Sequence, residues 1–169
     1  MDGETVSLEE MLLCRERRQE RQRALLERHG VPLLSFTMNI PGPVKTNAPL
    51  RRAFDEGLTA IRRELAALGV PTREALEIHE KTGDEALLAF DGDAGAVKAR
   101  MTAIEESHPL GRLFDIDILD ETGRKLSRPA YRPCLLCGEQ AQVCARSRRH
   151  SVAELQSRID GMLAAYFGP

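Results

Sequence analysis

The sequence predicts an α+β fold, a split βαβ (ferredoxin-like) antiparallel sheet with helices on one face. Three observations predict it. Between Val31 and Leu119 the apolar residues recur in the order β-α-β-β-α-β, switching between a period of two and a helical period. The first and last of these strands alternate cleanly, so each has one apolar and one polar face. Turn residues Pro41-Gly42-Pro43 and Thr82-Gly83-Asp84 punctuate the pattern. An N-terminal helix (7–29) precedes this core (31–119), and a basic, Cys-containing extension (120–150) and a closing helix (151–167) follow it. At 169 residues the chain forms one domain, 1–169, with a sizeable core.

Each element has its own signal. Ser7 and Glu10 have capping-box spacing, and Leu8, Met11, Leu12, Leu25 and Leu26 predict a partly amphipathic helix to about His29. Its six arginines (15, 17, 18, 21, 23, 28) alternate with glutamates, which reads as a solvated face. Leu33 to Ile40 is a strand with Leu34, Phe36, Met38 and Ile40 on one side and Ser35, Thr37 and Asn39 on the other. Leu50, Phe54, Leu58, Ile61, Leu65 and Leu68 fall at helical spacing, and Gly69 suits the end of that helix. Strands at about 73–80 and 85–91 form a hairpin. A second helix runs from Ala94 to about Ser107 with Val97, Met101 and Ile104 inward. In the fourth strand, 113–119, Phe114, Ile116 and Ile118 oppose Asp115 and Asp117. The apolar sets belong under the helices and the polar sets on the open face. In this topology the first and fourth strands are antiparallel neighbours. That brings the loop Pro41–Lys45 beside His108–Arg112 at one end of the sheet.

Composition excludes several function classes. A net charge of −2 and the absence of Trp, with only two Tyr and five Phe, argue against nucleic-acid binding through a basic surface or a stacking platform. No apolar run approaches the roughly 18–20 residues of a membrane span. The N-terminus opens into Glu and Arg rather than a secretory leader, so a cytoplasmic location and reduced thiols are expected.

The chemistry centres on Asp115-Ile-Asp117, two carboxylates about 7 Å apart on one strand face. Their repulsion is relieved by a divalent cation, and Mg²⁺ (or Mn²⁺) is typically held by one or two carboxylates plus substrate phosphates. Glu85 is the best third carboxylate. Lys45, Arg51, Arg52 and Arg112 supply cations at the same end, and Asn39 joins them as a substrate contact. Arg51 and Arg52 sit in a helix first turn, where the macrodipole disfavours cations unless an anion lies alongside. Gly111 offers close backbone approach to a phosphate. His108 is either a general base toward an incoming hydroxyl or a helix-terminating residue. Cys134, Cys137, Cys144 and His150 give C-x2-C-x6-C-x5-H, compatible with a structural Cys3His zinc site or with small core residues. Cys14 needs no partner. The segment around the cysteines, from Arg124 to Arg149, is the distinctly basic region and suits an acidic partner surface.

Several stretches together resemble one family. Pro32-Leu-Leu-Ser-Phe-Thr-Met-Asn-Ile-Pro-Gly-Pro-Val-Lys45, Arg51-Arg-Ala-Phe54, Ser107-His-Pro-Leu-Gly-Arg-Leu-Phe-Asp-Ile-Asp117 and Arg132-Pro-Cys-Leu-Leu-Cys137 are similar to motifs of the apo-citrate lyase phosphoribosyl-dephospho-CoA transferases. The resemblance runs from about Ser7 to Leu163. It implies transfer of phosphoribosyl-dephospho-CoA from its triphosphate precursor, triphosphoribosyl-dephospho-CoA, to a serine of the citrate lyase acyl carrier protein (the gamma subunit). Pyrophosphate leaves, as in nucleotidyltransferase chemistry. Asp115 and Asp117 then hold the metal, and Lys45, Arg51 and Arg112 grip the triphosphate. Polymerase β-type nucleotidyltransferases carry Gly-Ser before their D-x-D, whereas here Gly111 stands four residues before Asp115 and no Ser follows it. A nucleotidyltransferase-like α/β fold is therefore the alternative. The functional alternatives are the equivalent transferase for a malonate decarboxylase carrier and a non-catalytic zinc-stabilised binding module.

Overall fold

The computed structural model describes residues 1–128 and 130–168. Helix α1 (Leu8–His29) leads into strand β1 (Leu33–Met38), helix α2 (Ala48–Ala67), strands β2 (Thr72–Glu80) and β3 (Gly83–Phe90), and helix α3 (Ala94–Ser107). A single 3-10 turn, Gly111–Leu113, then enters strand β4 (Phe114–Leu119). A short helix α4 (Ala141–Ser147) and a closing helix α5 (Val152–Phe167) complete the chain. The caps follow the sequence signals. Ser7 and Glu10 form a reciprocal capping box on α1, which ends at Gly30 in the left-handed region with φ 60°. Asn47 caps α2, with Pro49 in its first turn.

The four strands form one antiparallel sheet in the order β2-β3-β1-β4. One face packs on α2, α3 and α5. There Phe36 stacks on Phe54 with ring centroids 4.9 Å apart and meets Phe114 edge-on at 5.5 Å. Gly57 of α2 lets the helix approach this trio; a Cβ there would lie 2.6 Å from Phe36 Cζ. Leu34, Phe36 and Ile40 of the first apolar set and Phe114, Ile116 and Ile118 of the last are all buried in this layer, as the alternation requires.

The opposite face is not open, contrary to expectation, because α1 lies across it. The register arranges that face in three rows across β3, β1 and β4: Ala89–Leu33–Leu119, then Leu87–Ser35–Asp117, then Glu85–Thr37–Asp115. It is apolar at one end and polar at the other. Leu25 of α1 packs on the apolar end with Leu33, Leu87, Ala89 and Leu119. Further along, Gln22 donates to Ser35 Oγ at 3.0 Å. At the polar end Arg18 and Cys14 reach Glu85. The inward stripe of α1 is thus Met11, Cys14, Arg18, Gln22 and Leu25, while Leu8 and Leu12, expected to face inward, are exposed. A helix with arginines on every side has little apolar contrast; the sheet face it covers selects the side that is buried.

β4 is an edge strand, and its free edge is sealed by side chains. Lys98 donates to the Ile116 carbonyl at 2.9 Å, Glu105 accepts from the Ile116 N–H at 2.9 Å, and Arg132 donates to the Phe114 carbonyl. Burial pushes the Glu105 carboxyl up, against the attraction of Arg132 and Arg128.

Candidate active site

A cleft of about 160 Å³ opens between the N-terminal half of α1 and the polar row of the sheet. Its walls include Asn39, Lys45 and Asp115, three of the residues singled out in the sequence, with Glu85, the candidate third carboxylate. Arg15 and Arg18 of α1, read in the sequence as a solvated face, complete it. Their spacing with Met11 and Cys14 was the available signal, obscured by the other four arginines of the helix.

Glu85 is buried, and one oxygen, Oε1, takes every hydrogen bond: from Arg18 Nε at 2.9 Å, Arg18 Nη2 at 2.5 Å and Cys14 Sγ at 3.1 Å. Burial pushes the Cys14 thiol up, so it sits protonated and serves as the donor. The other oxygen, Oε2, is buried without a hydrogen bond, with Arg21 Nη1 4.0 Å away. Lys45 Nζ donates to the Ile40 carbonyl at 2.7 Å, closing the loop that leaves β1. Burial, and secondarily the charge of Arg15, hold its pKa below the usual lysine value. A pair of cations kept close in a partly desolvated cleft favours an anion between them.

The two aspartates of β4 differ in their surroundings. Asp115 lines the cleft, about half exposed, with Arg132 Nη1 3.7 Å away. Asp117 lies one row further under α1, paired with Lys125 Nζ at 2.6 Å. Glu85 and Asp115 flank Thr37 across three strands, so their backbones stand about 10 Å apart.

The remaining predicted residues lie elsewhere. Arg51 pairs with Asp55 at 3.2 Å and with buried Asp84 at 3.1 Å; Asp84 also accepts from Thr46 at 2.8 Å and meets His79 at 2.9 Å. Arg51 thus stands behind the cleft, bracing its Asp84 wall. Arg52 lies over the Phe167 ring, 4.1 Å from its centroid, and needs no anion there. His108 caps α3 with its backbone, its Nδ1 accepts from the Leu110 N–H at 3.0 Å, and its ring packs between Phe114 and Tyr166. Since Phe114 faces the α2 layer and Asp115 the α1 layer, His108 is across the sheet from the cleft, and burial lowers its pKa. Gly111 is buried, and a Cβ would come within 2.5 Å of the Ile104 carbonyl and 2.6 Å of the Glu105 carbonyl. What approaches its backbone is α3. Arg112 donates to the Pro133 carbonyl and faces a separate cavity beside the cysteines.

Among the described residues, the ligand atoms of Cys134, Cys137, Cys144 and His150 form the metal-type cluster, all within 4.8 Å of one another. Cys137 and Cys144 sulfurs are 3.5 Å apart, and His150 Nε2 is 3.2 Å from Cys137 Sγ. Zn–S bonds of about 2.3 Å put sulfurs about 3.8 Å apart in a tetrahedral site, so the donor set fits. Burial opposes the Cys134 thiolate, but N–H groups of Leu136 and Cys137 and the neighbouring thiols donate to it and bring its pKa to about 6. Burial and the other two cysteines push Cys144 up to about 11. Arg148 makes the turn that delivers His150, adopting φ 48° after α4; among the described residues it is the one non-glycine with positive φ.

The basic segment is partly neutralised from within. Arg124 pairs with Asp120, Lys125 with Asp117, and Arg128 and Arg132 with Glu105. No helix is long and apolar enough to cross a membrane among the described residues.

A family model described as apo-citrate lyase phosphoribosyl-dephospho-CoA transferase matches residues 6–166. A protein of that name from Escherichia coli (strain 536) is 43% identical over 162 residues, covering 94% of this chain and 88% of its own. Namesakes from Shigella boydii serotype 18 and from Escherichia coli (strain SE11) are each 42% identical over the same shares.

Proposed function

This chain belongs to the apo-citrate lyase phosphoribosyl-dephospho-CoA transferase family, and we propose that the cleft under α1 is where it performs that transfer. The donor is the triphosphate precursor, the acceptor a serine of the citrate lyase acyl carrier protein, and pyrophosphate the leaving group. The single observation that carries this reading is the cleft itself. Arg15, Arg18 and Lys45 converge there on a sheet row bearing Glu85 and Asp115. Cations facing carboxylates across a small space suit a polyphosphate and a divalent ion together.

Lys45 and Arg15 grip the phosphates and stabilise charge as it builds on the leaving pyrophosphate. Arg18 is held in line by Glu85, and Asn39 at the rim orients the donor. Asp115, together with the unpartnered oxygen of Glu85, favours a divalent cation, Mg²⁺ or Mn²⁺, that supplies Lewis-acid help when bound. Asp117, expected to share that ion, already has Lys125, so we assign it the support of β4. Zinc is the metal we assign to Cys134, Cys137, Cys144 and His150, in a structural role. Cysteines placed as metal ligands and as one buried thiol, rather than as disulfides, suit a reducing, cytoplasmic setting. The βαββαβ order and the β2-β3-β1-β4 pairing support a ferredoxin-like fold rather than a polymerase β-like one.

The test is the intact mass of the citrate lyase carrier protein after incubation with this chain, triphosphoribosyl-dephospho-CoA and Mg²⁺. A gain equal to phosphoribosyl-dephospho-CoA, abolished by EDTA, is expected. No gain on that carrier but gain on the malonate decarboxylase carrier would move the assignment to the related enzyme; no gain on either would reject it.

A further inference from the structure

The cleft is too small for the whole donor. Its 160 Å³ accommodates a phosphate chain, whereas dephospho-CoA carries an adenine nucleotide, a diphosphate and a long pantetheine arm. A second cavity, about 510 Å³, lies on the other side of Asn39, which lines both. That volume is in the range of small-molecule sites. Its walls are aliphatic, formed by Pro41 from the loop after β1, Leu135 from the Cys-rich segment, and Val152 and Leu155 from α5. Two guanidinium groups, Arg112 and Arg148, stand among them.

Resting on the transferase reading above, we propose that this cavity is the donor's second subsite, taking the pantetheine arm against its aliphatic walls and the diphosphate at Arg112 and Arg148. Three features select that occupant. Asn39 lines both this cavity and the cleft, which places the two side by side for one extended molecule. Its charge is cationic where a diphosphate precedes the arm. It has no Phe, Tyr or Trp to stack a base, and aliphatic walls suit a flexible chain better than a flat ring. Burial, and then the neighbouring charges of Arg132 and Arg128, lower the pKa of Arg112, a cost that a bound anion relieves.

The subsite also gives the Cys3His cluster a purpose in this reaction. Cys134, Cys144 and His150 line the cavity as well as belonging to the cluster, so a metal held there would also fix one of its walls. Arg148 is presented by the same strained turn that delivers His150.

The experiment compares binding of dephospho-CoA and of adenosine diphosphate, which has the base and diphosphate but no arm, by titration calorimetry on the full zinc-loaded chain. Wild type should bind dephospho-CoA at least about tenfold more tightly, a difference of about 1.4 kcal/mol. Ala145→Phe, which fills the cavity from an exposed position on α4, should bring the two affinities level. Arg148→Gly suits the positive φ and keeps the fold, and should weaken both ligands about tenfold or more. Chelation of the metal should lower affinity for dephospho-CoA more than for adenosine diphosphate. Equal affinities in wild type, or dephospho-CoA binding unchanged by both substitutions, would overturn the subsite. Carrier loading by wild type is read separately. Loading with unchanged binding in the variants rejects the subsite alone, and arm-dependent binding without loading rejects the transferase reading alone.

Discussion

Asp115 and Asp117 are two residues apart, yet the structure separates their fates under the same isosteric change. Asp115→Asn removes the half-exposed carboxylate that faces Arg15, Arg18 and Lys45 across the cleft. If it helps hold the ion that offsets developing charge, its loss resembles removal of one preorganised electrostatic partner, about 3–4 kcal/mol or 10²–10³ in kcat. Asp117→Asn instead breaks a pair with Lys125, whose side chain is 61% exposed. Such a pair is worth about 0–1 kcal/mol of stability, and Asp117 does not line the cleft, so kcat should fall far less than for Asp115→Asn, by about fivefold at most. Neither change leaves a buried unpaired charge, so both proteins should melt close to wild type. The assay is the initial rate of carrier mass gain at saturating donor, repeated across Mg²⁺ concentrations, with a thermal midpoint for each protein. Asp115→Asn should also raise the Mg²⁺ needed for half-maximal rate, and Asp117→Asn should not. Equal losses in the two variants, or a larger loss for Asp117→Asn, would refute the assignment of the ion to the cleft.

Three further outcomes follow from the geometry. Gly111→Ala drives a Cβ into two α3 carbonyls at 2.5 and 2.6 Å, so it should cost about 1–3 kcal/mol in denaturant unfolding while KM of the remaining folded enzyme for donor stays unchanged. A phosphate-contacting glycine would instead raise KM without lowering stability. Lys45, its pKa held below the usual lysine value by burial and then by Arg15, loses its charge at lower pH than an ordinary lysine, so donor affinity should fall as rising pH deprotonates it. Lys45→Met should bind weakly with this step removed, and an unchanged pH profile in the variant would exclude Lys45 as its source. If the Cys3His cluster holds a metal, a chelator that removes it should free residues 133–150, because a seven-residue helix such as α4 does not hold itself. Amide exchange should rise there and not in β1, β3 and β4; a uniform rise would mean the metal stabilises the whole fold.

The order of elements, their caps and the buried face of β1 and β4 were legible in the sequence, because period-two alternation and capping chemistry are local properties of the chain. That Asp115, Lys45 and Asn39 lie near one another, and that Cys134, Cys137, Cys144 and His150 cluster, was legible from the strand order and the short Cys/His spacing. Only the tertiary structure decided which cations join them. Arg51, Arg52 and Arg112 look equivalent to Lys45 along the chain, yet the first braces Asp84, the second covers Phe167 and the third faces the neighbouring cavity. Conversely Arg15 and Arg18 are lost among the charges of α1 until that helix is laid on a face whose rows run from Leu33 to Thr37. A helix with charge on every side states no preferred direction of its own. The gradient of polarity across three strands, a property no single segment possesses, turns two of its arginines into the wall of the cleft.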